Sequence, residues 1–212
     1  MEAIFSALEP RLEIKITESM RLISEFRSWI RSHHSALKKA FPRRQVNNIY
    51  FDTLGMDCLN DHLSGIQVHN KLRFRWYGNS FHAICGNLEL KRKESEFGKK
   101  LLLPIEKKID VGGTPWKNLS GILYTHADDV FKLLLSNTQP IMISQYLREY
   151  YTTGDHRIRL TLDYKLKVFD QRFYNVPNLI YSTPMLDQLV IEVKSEIAHL
   201  EAAYDLINDI PL

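Results

Sequence analysis

Apolar and polar residues alternate with a period of two along much of the chain, as in Arg11-Leu-Glu-Ile-Lys-Ile16 and Leu88-Glu-Leu-Lys91. Residues two apart share a face of a strand, so the pattern predicts strands with one apolar and one charged side. Such segments run from Arg11 to Ile16, Val46 to Phe51, Lys71 to Tyr77, Ile84 to Lys93, Leu101 to Lys108, Gln145 to Thr152, Arg157 to Val168 and Gln188 to Lys194. Leu22, Ile23, Phe26, Trp29 and Ile30 recur instead at helical spacing, which predicts a helix capped by Thr17 and ended by Pro42. A short helix closing at Leu63, one over Tyr124 to Leu135 and a last one from Glu196 to Ile207 are also predicted, with Gly112 to Ser120 as a loop. Strands joined by short turns, with helices set apart from them, predict an α+β fold: an antiparallel sheet or barrel with helices packed outside, in one domain over residues 1–212.

The charged sides carry the functional signal. They hold Arg11, Glu13 and Lys15; Lys71, Arg73 and Arg75; Glu89, Lys91 and Lys93; Glu106 and Lys108; Tyr146 and Arg148; Arg157, Arg159, Asp163, Lys165 and Lys167; and Glu192 and Lys194. If the strands close into a barrel with their apolar sides outward, these groups line a hollow interior; if they form an open sheet, they make one wet face. Alternation alone does not separate the two, and any one Glu-Lys pair is also an ordinary cross-strand salt bridge. A lining with Arg and Lys in excess over Glu needs anions to be stable. Arg offers planar two-point binding to phosphate oxygens and Lys a compact charge that can follow a phosphate chain. Glu13, Glu89 and Glu192 supply hard oxygen donors suited to Mg²⁺ or Mn²⁺.

Composition narrows the class. Of the 212 residues, 44% are hydrophobic and 25% charged, ordinary values for a folded chain, and the net charge of +3 is too small to require a nucleic-acid partner. The chain has no apolar run of membrane-crossing length, and Met1 to Pro10 has no basic start, so a cytoplasmic protein is expected. Cys58 and Cys85 are too few for a disulfide framework and read as quiet thiols in a reducing compartment. His33 and His34 show no third metal ligand in sequence and read as a solvated helix end. Lys38, Lys39, Arg43 and Arg44 read as a solvated helix C-terminus rather than a nucleic-acid patch.

At these same residues the sequence resembles the VTC domain of polyphosphate polymerases, within the triphosphate tunnel superfamily that includes CYTH proteins. The matching pieces follow the family's order: Arg11-Leu-Glu-Ile-Lys15, Asn48-Ile-Tyr-Phe-Asp-Thr53, Lys71-Leu-Arg-Phe-Arg-Trp-Tyr77, Leu88-Glu-Leu-Lys-Arg-Lys93, Tyr146-Leu-Arg148, Arg159-Leu-Thr-Leu-Asp163 and Ile191-Glu-Val-Lys194. The resemblance implies an eight-stranded β-tunnel in which Lys15, Arg73, Arg75, Lys91, Arg148 and Arg159 bind phosphate for catalysis. Arg11, Lys71, Lys93, Lys108 and Lys194 would add substrate contacts, and Glu192, with Glu13 and Glu89, would hold Mg²⁺ or Mn²⁺. The implied reaction moves the γ-phosphoryl group of ATP onto polyphosphate, with hydrolysis of a triphosphate, or polyphosphate binding without turnover, as alternatives. A membrane-protein partner is compatible with this reading. Arg11 stands where CYTH hydrolases and cyclases have Glu, which favours the polymerase-like branch. The family's Ser-Lys segment after the last helix is not found before Leu212, which leaves two expectations open: a truncated C-terminus, or a protein that lacks part of the site.

Overall fold

The computed structural model describes residues 4–7, 11–66, 68–94 and 97–211. Nine strands occur among them: β1 (Ile4–Ala7), β2 (Arg11–Ser19), β3 (Lys38–Asp52), β4 (Val68–Tyr77), β5 (Ile84–Glu94), β6 (Phe97–Ile109), β7 (Gln139–Thr152), β8 (Ile158–Asp170) and β9 (Gln188–Glu196). The five helices are α1 (Ile23–Ser32), α2 (Asp57–Leu63), α3 (Trp116–His126), α4 (Asp129–Ser136) and α5 (Leu200–Asn208). The eight predicted strand segments correspond one to one with β2 through β9, and β1 is an addition. The strand pairings are antiparallel and the fold is α+β. None of the described helices is long and apolar enough to cross a membrane.

Contacts divide the chain into two compact units. The first comprises Met1–Leu8, Val46–Gln145 and Lys167–Pro184. Its strands follow the order β1-β6-β5-β4-β3. Their apolar side, including Ile49, Leu72, Phe74, Trp76, Leu88 and Leu103, packs with Trp116, Leu119, Phe131 and Leu135 of α3 and α4. Gly86 sits at a register shift between β5 and β6. A Cβ there would meet the Arg75 carbonyl oxygen at 2.5 Å and the Phe74 ring at 2.7 Å, so only glycine admits this approach.

The second unit comprises Glu9–Gln45, Tyr146–Leu166 and Met185–Leu212. Within it β8 pairs with β9 and β9 with β2. Leu160, Leu162, Ile191 and Val193 of the sheet pack with Ile23, Phe26 and Ile30 of α1 and Ala203 and Leu206 of α5. Glu149 is buried on this apolar side, where Arg27 of α1 and the hydroxyls of Tyr151 and Tyr164 donate to it at 2.5, 2.6 and 2.8 Å. Three donors offset the cost of burying that carboxylate.

Four element boundaries differ from the sequence expectation, each for a physical reason. Thr17 does not cap a helix, because β2 stays paired to β9 as far as Ser19 opposite Gln188. The helix ends at Ser32 rather than Pro42, and Lys38, Lys39, Arg43 and Arg44 lie on β3, not on a helix terminus. Pro42 is tolerated there because pairing of β3 with β4 begins only at Val46, so its missing N–H breaks no bond on that side. The helix predicted over Tyr124 to Leu135 is two helices: Asp128 breaks it by capping α4, its carboxylate accepting from the Phe131 N–H at 2.9 Å. The predicted loop to Ser120 ends at Pro115, since buried Trp116 opens α3.

Candidate functional site

On the charged side of the first unit, register places the side chains in rows. Tyr50 stands opposite Arg73, Arg73 opposite Glu89, Lys71 opposite Lys91, and Lys91 opposite Lys100. Glu89 is only 4% exposed and organises the group. Arg73 donates to its Oε2 through Nε at 2.8 Å and through a terminal nitrogen at 2.6 Å, and Lys100 donates to Oε1 at 3.1 Å. A nitrogen of Arg75 lies 3.9 Å from the same carboxylate, while Arg75 Nε donates to Asn48 at 2.7 Å and Asn48 donates to Ser144 at 3.0 Å. Burial pushes the Glu89 carboxyl up, but Arg73, Arg75 and Lys100 outweigh it and hold it below its ordinary value. Burial likewise opposes ionisation of Tyr50, yet Arg73, Arg75 and Lys71 bring that phenol below its usual range. The Lys71-Lys91-Lys100 row puts like charges opposite one another, an arrangement that a bound anion stabilises.

The second unit carries a separate cluster. Lys15 bridges Glu13 at 3.2 Å and Glu192 at 3.4 Å, and Lys194 bridges the same carboxylates at 3.7 and 3.1 Å. Arg148 grips Asp163 with two bonds of 2.5 Å and reaches Glu192 at 3.8 Å. Burial lowers the Arg148 pKa, but Asp163, Tyr146 and Glu192 raise it further, so it stays a cation. For Lys15, burial is outweighed by Glu192 and Glu13 and the ammonium is stabilised. Lys194 differs, because burial, helped by Arg11, wins over Glu192 and Glu13 and moves its pKa below the ordinary lysine value.

Two cavities open on this cluster. One, about 370 Å³, is lined by Arg11, Arg157, Arg159 and Lys194 among others. The second, about 210 Å³, shares Arg159 and Lys194 and adds Arg148 and Glu192. The first falls within the roughly 300–1,000 Å³ typical of ligand pockets. Thr161 borders the smaller cavity, and its hydroxyl is buried without a hydrogen-bond partner.

Among the sequence-predicted residues, Glu13, Lys15, Arg148, Glu192 and Lys194 are thus brought together in the second unit, with Arg11 and Arg159 at its cavities. Arg73, Arg75, Glu89, Lys71 and Lys91 share the first unit's face. Lys108 is exposed near the end of β6, past the register shift, and makes none of the ion pairs described. The Lys93 side chain lies outside the described residues. All three acids have both oxygens engaged by cations: Glu89 by Arg73 and Lys100, and Glu13 and Glu192 by the same two lysines, Lys15 and Lys194. Arg157 stands on a charged side by sequence but carries no site role there, and the sequence leaves Lys100 open between a phosphate contact and a solvated hairpin. Lys100 precedes three leucines in a row, which erase the alternation that would have assigned its face.

Cys58 is shielded as expected of a quiet thiol, its pKa pushed up to about 12 by burial and by Asp52. His33 corrects the sequence expectation of a solvated helix end. It is buried beside Asp209, which with His34 makes a group whose ligand atoms lie within 4.8 Å of one another. Ser35 N–H donates to His33 Nδ1 at 3.2 Å, so the neutral ring carries its proton on Nε2 and donates it to Asp209 at 3.3 Å. That donation leaves Nε2 without a lone pair for metal, and the group clasps the end of α1 to the end of α5.

Residues 10–210 match the VTC domain family. In fold the chain is similar to a "putative adenylate cyclase" from Bacillus halodurans, at TM-score 0.56 and 13% identity, covering 96% of this chain and 94% of that one. It is also similar to a "putative adenylate cyclase" from Vibrio parahaemolyticus, at TM-score 0.51 and 13% identity, covering 93% and 87%. No curated protein matches the chain in sequence.

Proposed function

The chain belongs to the VTC domain family, and on that premise we propose that it binds ATP and polyphosphate on its charged strand faces and transfers the γ-phosphoryl group of ATP to the polyphosphate end. The observation that carries this reading is the second unit's cluster, where Arg159 and Lys194 line both cavities, Arg148 joins them at the smaller one beside nearly buried Glu192, and Lys15 bridges that carboxylate. In the transfer, a terminal polyphosphate oxygen bonds to the γ-phosphorus, the bond from that phosphorus to the β–γ bridging oxygen breaks, and ADP leaves with the electron pair. The attacking oxygen is already ionised at neutral pH, so no side-chain base is needed. What the reaction asks of the protein is alignment and neutralisation of oxygen charge, which fixed Arg and Lys side chains provide.

The donor set also fits a divalent ion. Glu13 and Glu192 share two ammonium groups, Lys15 and Lys194, so cationic charge already sits between two hard oxygen donors. Glu192, with Glu13, would hold Mg²⁺ or Mn²⁺, which supplies charge neutralisation on phosphate oxygens. Lys15 and Lys194 would then turn to the phosphate chain.

Incubation of purified protein with ATP and Mn²⁺, with products resolved on a gel and free phosphate assayed, tests the reading. Long polymer is the expected result. Phosphate without polymer would make the protein a triphosphatase, and binding without either product would make it a polyphosphate-binding module.

A further inference from the structure

Phe41 has no place in the apolar core of its unit. It lies on the exposed stretch of β3 and keeps 55% of its surface exposed. Its ring centre is 5.7 Å from that of Tyr150, with the planes at 85°. The Arg44 guanidinium lies 5.3 Å from the Phe41 ring centre and 5.9 Å from that of Tyr150. Two perpendicular rings and a guanidinium offer a planar ligand one stacking face, one edge-to-face partner and one cation–π contact.

Phe41 and Tyr150 line the same cavity of about 210 Å³ as Arg148, Arg159 and Lys194. Phosphate binding needs the cations and has no use for the rings. A ligand with a polyanionic end and a flat aromatic end uses both. The shared Arg159 and Lys194 let the phosphates continue into the larger cavity with Arg11 and Arg157.

We propose that Phe41, Tyr150 and Arg44 form a nucleobase-stacking corner, which makes the ligand of this cavity a nucleoside triphosphate held with little preference among bases. The proposal rests on the phosphate-site reading given above. The weak preference follows from the mode of contact: stacking accepts any base because each has a π-face, and Arg148, Arg159, Lys194 and Glu192 on the same lining are assigned to phosphate and metal.

The test is calorimetric titration of the full chain with the Mg²⁺ complexes of ATP, GTP and UTP and with inorganic tripolyphosphate. Phe41→Ala should weaken every nucleotide by roughly 5- to 150-fold, the range of one lost base stack, and leave tripolyphosphate within about two-fold. Phe41→Trp should restore nucleotide binding. The tripolyphosphate titration doubles as a check that the variant site is intact. Equal losses for nucleotide and tripolyphosphate, or no loss for nucleotide, would overturn the stacking corner. Wild-type binding of tripolyphosphate but not nucleotide would overturn it alone, whereas binding of neither would remove the phosphate-site reading itself.

Discussion

Replacing Glu89 with Gln isolates the electrostatic logic of the first unit. The carboxylate is 4% exposed and neutralises Arg73 at 2.6 Å and Lys100 at 3.1 Å, with Arg75 at 3.9 Å. Gln keeps the shape but removes the charge, and its amide N–H groups would face donors. Removing one partner of a buried ion pair costs about 3–5 kcal/mol, and because Arg73 and Lys100 side chains keep 23% and 29% of their surface in water the lower end applies, about 3 kcal/mol. With a urea slope of about 2–3 kcal/mol per molar, the midpoint should fall by roughly 1–1.5 M in low-salt buffer without phosphate. Because the folded-state pKa of Glu89 is lowered, its contribution is present above the unfolded value of about 4.3 and is lost as pH falls through the folded value. Wild type and variant should therefore converge in acid. Tripolyphosphate should stabilise the variant more than wild type, since it meets cations that Glu89 no longer neutralises. A variant as stable as wild type at neutral pH, or one with an equal or smaller response to tripolyphosphate, would refute this account of the charged face.

Three further outcomes are expected. Burial has moved the Lys194 pKa below the ordinary value of about 10.4, so polyanion affinity should fall as pH rises through that lowered value, and Lys194→Arg, which keeps its charge, should flatten the profile; identical profiles by calorimetry would remove Lys194 from the site. Glu192→Gln should abolish Mn²⁺-dependent turnover of ATP while circular dichroism stays native, and full activity in that variant would sink the metal assignment. Gly86→Ala should destabilise by roughly 1–3 kcal/mol, because its methyl meets the Arg75 carbonyl oxygen at 2.5 Å and must displace β4; an unchanged thermal midpoint would contradict the close approach.

Alternation along the chain was enough to place eight strands, to separate their apolar from their charged sides and to nominate most of both clusters, because side-chain direction in a strand is a local property of period two. Helix ends were less legible, since Ser19 and Pro42 take their conformations from pairing with β9 and from the limits of pairing with β4, which lie far off in sequence. Partner choice was not legible at all. Periodicity alone offered Glu13, Glu89 and Glu192 as three like acids, and the family resemblance set Glu192 first; only register and packing surrounded Glu89 with Arg73, Arg75 and Lys100 and set Glu13 and Glu192 around the same two lysines. Likewise, a lone Phe41 and a lysine-arginine run became an aromatic corner on a cationic cavity only when β3 brought Phe41 and Arg44 to Tyr150. The charged faces were therefore written in the chain's local periodicity, while which charge meets which, and what is left for a ligand, was decided by contacts between strands that local sequence does not encode.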